Sequence, residues 1–276
     1  MDIKLVAIDM DGTLLNTKGD ISEKNIQALK KALNAGIHIV PATGRVLQIL
    51  PEPLQKIPEI EYIITSNGAA VYKKGTKKPI YSNAMTIEKT IRVLKLIEPY
   101  DTIVEAYIEG NGYFEKQFLN RFKEFQIPEN FRKLYEEIKN PVENLMQFIQ
   151  NNGKEVEKLN IPWLKEGIKQ KILDKLKELP DIYITTSLKE NVEVNNIGIN
   201  KGIGLKGLCD VLNLKMENIM AIGDSFNDLE MMEVAGMPVA MENAEEELKK
   251  ISKFITKSND NDGVAYAIET LCFEKE

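Results

Sequence analysis

Apolar positions in the first third of the chain switch between a strand-like and a helix-like spacing. The run "KLVAID" (4–9) is short and nearly unbroken, which predicts a strand buried on both faces. "SEKNIQALKKALNAG" then sets Ile26, Leu29 and Leu33 on one helical stripe, with Ser22 as N-cap and Gly36 as the stop. "IHIVPATGR" and "YIITSNG" predict two more strands. Strand, helix, strand, helix, strand is the order of a doubly wound, mainly parallel α/β sheet with right-handed crossovers. In such sheets ligands gather beyond the carboxyl ends of the strands. Asp9, Thr43 and Asn67 each follow a predicted strand end, so all three are expected at one crevice.

The last quarter repeats this grammar. A strand is predicted over 218–222, breaking at Gly223 into the acidic loop of "GDSFND". "MPVAM" and "KFIT" predict short strands, with helical "AEEELKKI" between them and a solvated charged face around 242–250. The middle differs. A helix is predicted through Ile87, Ile91 and Leu94, and then a hairpin turning at Gly110-Asn111-Gly112. Ile168, Ile172, Leu176 and Leu179 mark a second helix ending before Pro180, followed by a strand over 181–187. Within 118–155 the pattern assigns no elements. The expectation is a core formed by 1–83 and 190–276, with an α+β module at 84–189.

Composition narrows the classes. The 276 residues carry a formal net charge of -6, which gives no support for nucleic-acid binding by phosphate neutralisation. No apolar run approaches the roughly 18–20 residues of a membrane span, and the start of the chain lacks a basic, apolar leader pattern. Cys209 and Cys272 are the only cysteines, well separated, so neither a disulfide framework nor a Zn site is expected. A reducing cytoplasm is the expected setting.

The chemistry begins with Asp9 and Asp11, two carboxylates one residue apart after a strand. Something positive must offset their repulsion, and all-oxygen ligands point to Mg²⁺. Asp224 and Asp228, after another predicted strand, are candidates to complete the coordination. Asp9 is then a candidate nucleophile toward phosphorus, and Asp11 a candidate acid and base. Phosphoryl transfer also needs donors for the equatorial oxygens. Thr43 with the Gly44 backbone is expected near a helix start, and Lys201 in "NKGIG" begins another helix. Each residue has a plainer alternative. Asp9 and Asp11 also suit a turn, Thr43 a helix cap, and Lys201 a solvated helix start. Gly202 and Gly204 lack Walker spacing and read as close-packing positions. Arg45 suits substrate or a local carboxylate equally. His38, the sole histidine, and Trp163, the sole tryptophan, read as packing residues.

"DMDGTLL", "ATGR", the lysine of "INKGIG" and "GDSFND" resemble the four ordered motifs of the haloacid dehalogenase-like (HAD) superfamily. More narrowly the chain resembles the Cof-type branch of phosphatases, which carries a large α/β cap between the second and third motifs; "TSNGA" fits that branch too. The resemblance spans essentially the whole chain. It implies a Rossmann-like core with a cap that selects substrate, and a Mg²⁺-dependent phosphatase acting through an aspartyl-phosphate. Asp9 is implied as nucleophile and metal ligand, and Asp11 as acid/base with its carbonyl on the metal. Thr43 and Lys201 are implied to hold the phosphoryl group and Asp224 to ligate Mg²⁺. Asn227 and Asp228 are implied to support the phosphate and the metal's water shell. Dehalogenases of the superfamily lack the second aspartate, so Asp11 favours phosphate chemistry. Branch membership implies small phosphorylated metabolites such as sugar phosphates, nucleotides or phosphorylated cofactors; Arg45 and Asn67 are candidate substrate contacts, and composition gives no expectation of a nucleic-acid or membrane partner. Two rivals keep the same core. A phosphomutase returns the phosphoryl group to substrate, and a receiver-like binding protein holds it without turnover.

Overall fold

The computed structural model describes residues 2–165, 167–186 and 190–274. In chain order its strands are β1 (Leu5–Asp9), β2 (His38–Ala42), β3 (Tyr62–Thr65), β4 (Ala70–Lys73), β5 (Tyr81–Ser82), β6 (Glu105–Ile108) and β7 (Asn111–Glu115). They continue with β8 (Asn140–Val142), β9 (Lys158–Ile161), β10 (Ile182–Thr185), β11 (Val192–Asn196), β12 (Ile219–Gly223), β13 (Met237–Ala240) and β14 (Phe254–Ile255). The chain forms two compact units. One takes residues up to Gly44, Leu50–Tyr81 and the chain from Asn200 on; the other takes Arg45–Ile49 and Ser82–Ile199.

The first unit is an α/β fold whose sheet runs β14-β13-β12-β1-β2-β3-β4-β5. From β14 to β3 all neighbours are parallel, and β4 turns back antiparallel on β3. Every residue of β1 is buried, which is why its sequence is a continuous apolar run rather than an alternation. Register sets Ile8 beside Ile222 and Asp9 beside Ala42, so β1, β2 and β12 end together at one edge. The helix Glu23–Asn34 starts where Ser22 accepts a hydrogen bond from the Asn25 amide, and Ile26 and Leu29 face the core. Its chain reverses through Gly36, at φ +81°.

The second unit's sheet runs β10-β11-β9-β6-β7-β8, antiparallel except for the β7–β8 pair. The hairpin turns at Glu109-Gly110, one residue earlier than the expected Gly110-Asn111-Gly112, because Ile108 pairs with Asn111. Glu109 and Gly110 both take positive φ (45° and 76°), as a two-residue hairpin of this hand requires. This register buries Gly112 and Phe114; a one-residue slip would turn Phe114 outward. β11 pairs with β9 and β10, so residues 190–199 lie in the second unit, whereas the sequence reading set its break at 189/190. "VEVNN" carries nothing local that selects one sheet over the other. The expected strand over 181–187 spans Ile182–Thr185, and Ser187 lies outside the described residues.

The unassigned stretch 118–155 is short pieces. It holds turns around Lys116–Asn120, helices Glu129–Lys133 and Leu145–Asn152, and β8. Phe114, Phe118, Phe122, Phe125 and Tyr135 pack there as an aromatic cluster of their own. Among the described residues no helix is long and apolar enough to cross a membrane.

Candidate active site

Asp9 closes β1, and burial of that strand carries its carboxylate to the sheet's edge while leaving it only 4% exposed. Its Oδ1 accepts a hydrogen bond from Lys201 Nζ at 2.5 Å. Its Oδ2 is buried, and no hydrogen-bond donor reaches it among the described residues. Burial first, and then the neighbouring Asp228 carboxylate, push the Asp9 carboxyl well above the usual carboxylate range against the pull of Lys201.

Lys201 is the first residue of the helix Lys201–Leu212, whose N-cap Asn200 accepts from the Ile203 amide at 2.9 Å. The ammonium has no exposure and also donates to Asp228 Oδ1 at 2.7 Å. Burial opposes its charge, but Asp228 and Asp9 more than compensate, so it stays a cation. Asp228 is equally buried. Its Oδ2 accepts from the Asp224 and Ser225 amides, both at 3.1 Å, so each of its oxygens has a donor. That arrangement folds Asp228 back over the end of β12, where a Cβ on Gly223 would lie 2.5 Å from the Asp228 Cβ.

Asp224 is half-buried, and its Oδ1 accepts from Thr13 Oγ1 at 2.8 Å. Burial raises its carboxyl, the Thr13 bond lowers it, and the net is upward. Gly12 presses bare backbone against this carboxylate: at φ +91°, a Cβ there would stand 2.4 Å from Asp224 Oδ2. Gly12, Thr13 and Gly223 did not emerge as site residues from the sequence, although "DGT" and "GD" carried the signal. A glycine beside a catalytic-type aspartate marks backbone that comes too close for a side chain.

Asp9, Asp224 and Asp228 each offer an oxygen within 4.8 Å of the others, a three-carboxylate group with one lysine against it. The excess negative charge and the orphaned Asp9 Oδ2 fit a hard divalent cation. Asp11 is exposed just past the strand and is not part of that group. Thr43 is buried one residue beyond Ala42, the register partner of Asp9. Its amide donates to the Ile64 carbonyl and its carbonyl accepts from the Asn67 amide at 3.1 Å. The expected helix start at Thr43 and Gly44 is absent, since the chain there bends and only a three-residue turn, Leu47–Ile49, follows. Asn67 is buried at φ +59°, between Ser66 at +53° and Gly68 at +94°. This tight turn abuts the start of the Lys201 helix: a Cβ on Gly68 would meet the Asn200 carbonyl oxygen at 2.1 Å. Asn227 is half-buried and accepts from Ser225 Oγ at 2.9 Å. Arg45 belongs to the second unit. His38 starts β2 with its ring edge-on to Tyr62.

Residues 6–268 match the sequence profile of haloacid dehalogenase-like hydrolases. Two similar proteins from Bacillus subtilis (strain 168) are the 5-amino-6-(5-phospho-D-ribitylamino)uracil phosphatases YcsE and YwtE. YcsE is 33% identical over 275 residues, covering 97% of this chain and 95% of its own. YwtE is 33% identical over 298 residues, covering 98% of each. Among solved structures, BT1666 from Bacteroides thetaiotaomicron, described among phosphatases of the haloalkanoate (HAD) enzyme superfamily, superposes with a TM-score of 0.78. It is 28% identical and covers 97% of this chain and 94% of its own.

Proposed function

The chain belongs to the haloacid dehalogenase-like hydrolases and is a phosphatase, and from that premise we propose that it hydrolyses phosphomonoesters of small metabolites through a phosphoryl-aspartate on Asp9. The observation that carries this reading is Asp9 Oδ2, a buried carboxylate oxygen with no donor among the described residues, backed by a lysine that holds the other oxygen of the same group. An oxygen so placed is available as a nucleophile, and its orientation is fixed before substrate arrives.

In the first step Asp9 Oδ2 forms a bond to phosphorus as the bond from phosphorus to the ester oxygen breaks. Asp11, exposed two residues on, gives its proton to the leaving alcohol. In the second step Asp11 takes a proton from water, whose oxygen attacks phosphorus and returns Asp9 as a free carboxylate with inorganic phosphate. Thr43 and Lys201 hold the phosphoryl oxygens in both steps, with Gly44 and Asn227 beside them. Lys201, kept cationic by Asp9 and Asp228, offsets the charge that develops there.

The acidic group fits Mg²⁺, which Asp9, Asp224 and the Asp11 carbonyl would hold and which would supply positive charge to the phosphoryl oxygens. Asp228, whose oxygens already have donors, supports the site by orienting Lys201 and the Asp224 loop. The second unit is the part that selects the leaving group, with Arg45 and Asn67 as further contacts. The names of the two B. subtilis relatives make a phosphorylated polyol joined to a heterocycle the first ester to try. Phosphate release from a panel of metabolite esters, with and without Mg²⁺, tests the reading. Wild type should turn over only with the cation, and Asp9→Asn should lose at least about a thousandfold in kcat. Turnover persisting in Asp9→Asn would remove Asp9 as nucleophile.

A further inference from the structure

Among the described residues the second unit buries five charged side chains in its interior, Glu157 and two Lys–Glu pairs, and none belongs to the acidic group described above. Lys139 Nζ donates to Glu105 Oε1 at 2.5 Å, and Lys158 Nζ to Glu193 Oε1 at 2.8 Å. The four members of these pairs are all buried. Glu105 collects further donors: Tyr107 Oη and Asn160 Nδ2, each at 3.0 Å from Oε2, and Tyr135 Oη on Oε1. Burial pushes both phenols up, so both remain protonated donors. Buried ion pairs of this kind seldom stabilise a fold more than apolar packing of the same volume would. The Glu105–Lys139 pair lines a cavity, which marks a place where polar groups are held ready for something else.

About 100 Å³ of partly open space lies between Glu105, Lys139, Asn160 and Asn191 and the rings of Phe131, Tyr135 and Trp163. Trp163 is held at φ +55°, a costly backbone state for a bulky residue. Its Nε1 donates to Tyr135 Oη at 3.2 Å and its ring packs edge-on to Phe131. An engineered apolar cavity of about 150 Å³ admits benzene, so this space takes most of one six-membered ring. Two amides line the space, Asn191 Nδ2 donating to Asn160 Oδ1 at 3.5 Å, beside the Glu105–Lys139 pair, whose opposite charges offset one another.

We propose that this cavity binds a planar, uncharged ring carrying an N–H/C=O edge, with Trp163 as one wall. The same ring chemistry arrives either on the leaving group of a substrate or on a free effector; the first source rests on the phosphatase reading above.

Trp163 is the chain's single tryptophan, so its emission reports this wall directly. Titrating the full chain with uracil should give a saturable change in emission, and titration with ribitol should give none. Leu134→Phe, which fills the cavity from its lining, and Asn191→Ala, which removes an amide, should each weaken uracil binding at least tenfold, with melting curves confirming that both fold. A wild-type emission that does not saturate with uracil, or equal affinity in both folded variants, overturns the site; saturation with ribitol instead overturns the ring chemistry. A kinetic arm then identifies the source. If the ring belongs to the substrate, the kcat/KM preference for a uracil-bearing phosphomonoester over p-nitrophenyl phosphate falls at least tenfold in both variants. If it belongs to an effector, that preference stays constant and uracil alters p-nitrophenyl phosphate hydrolysis in wild type. Absence of hydrolysis of either ester by wild type would sink the phosphatase reading, while the uracil titration would still decide the site.

Discussion

Replacing Lys201 by methionine keeps most of the side chain's volume and removes the cation that, among the described residues, pairs with Asp9 and Asp228. With contacts of 2.5 and 2.7 Å, an effective dielectric near 20 makes each attraction worth about 6 kcal/mol before desolvation is counted. Burying the ammonium costs several kcal/mol in return, and removing one partner of a buried pair typically leaves a net loss of about 3–5 kcal/mol. For a unit of this size that lowers the melting temperature by on the order of 10 °C. The loss should be read on chelator-treated protein, where no cation substitutes for the ammonium. Adding Mg²⁺ should then raise the melting temperature of Lys201→Met by more than that of wild type, since the variant's carboxylates lack their internal counter-ion. Activity at saturating Mg²⁺ should remain at least about a hundredfold down if the lysine also holds the phosphoryl oxygens, as proposed. A chelated variant that melts within about 2 °C of wild type would refute this account of the acidic group.

Two further outcomes follow from the geometry. Gly12→Ala puts a side chain at φ +91° and against Asp224; it should cost about 1–3 kcal/mol of stability and raise the Mg²⁺ concentration needed for half-maximal rate, and an unchanged Mg²⁺ dependence would show that Asp224 does not need that bare backbone. Glu105 gives a pH signature. Burial alone would raise its carboxyl, but Lys139 and the hydrogen bonds from Lys139, Tyr135 and Asn160 hold it below its ordinary 4.5. Below that value the unfolded chain binds the proton first, so Glu105's contribution is present above pH 4.5 and is lost as pH falls through the lower folded value. Glu105→Gln, which strands Lys139, should be less stable than wild type by about 3–5 kcal/mol near neutrality. In urea melts that gap should narrow as the pH falls below about 4; parallel curves across the acid range would count against the pairing.

The sequence by itself determined the local pieces. The unbroken apolar run of β1 and the Ser22 cap are written in consecutive residues, because a helix or strand is selected by spacing and by chemistry at its ends. The α/β class followed, and so did the expectation that Asp9, Thr43 and Asn67 share an edge, since parallel neighbours end on the same side. The tertiary structure decided what meets across long separations. Lys201 lies 192 residues from Asp9, and their contact exists because β12 and β2 flank β1 in one register while the Lys201 helix starts at the same edge. No local pattern encodes that order. The same holds for β11, whose five residues suit either sheet, and for 118–155, where short elements hold together through an aromatic cluster rather than through periodicity. Glu105, Lys139 and Asn160 look like ordinary surface polar residues in the chain. Only packing of three separate segments buries them together, because the free energy of a buried charge depends on what surrounds it and not on its neighbours in sequence.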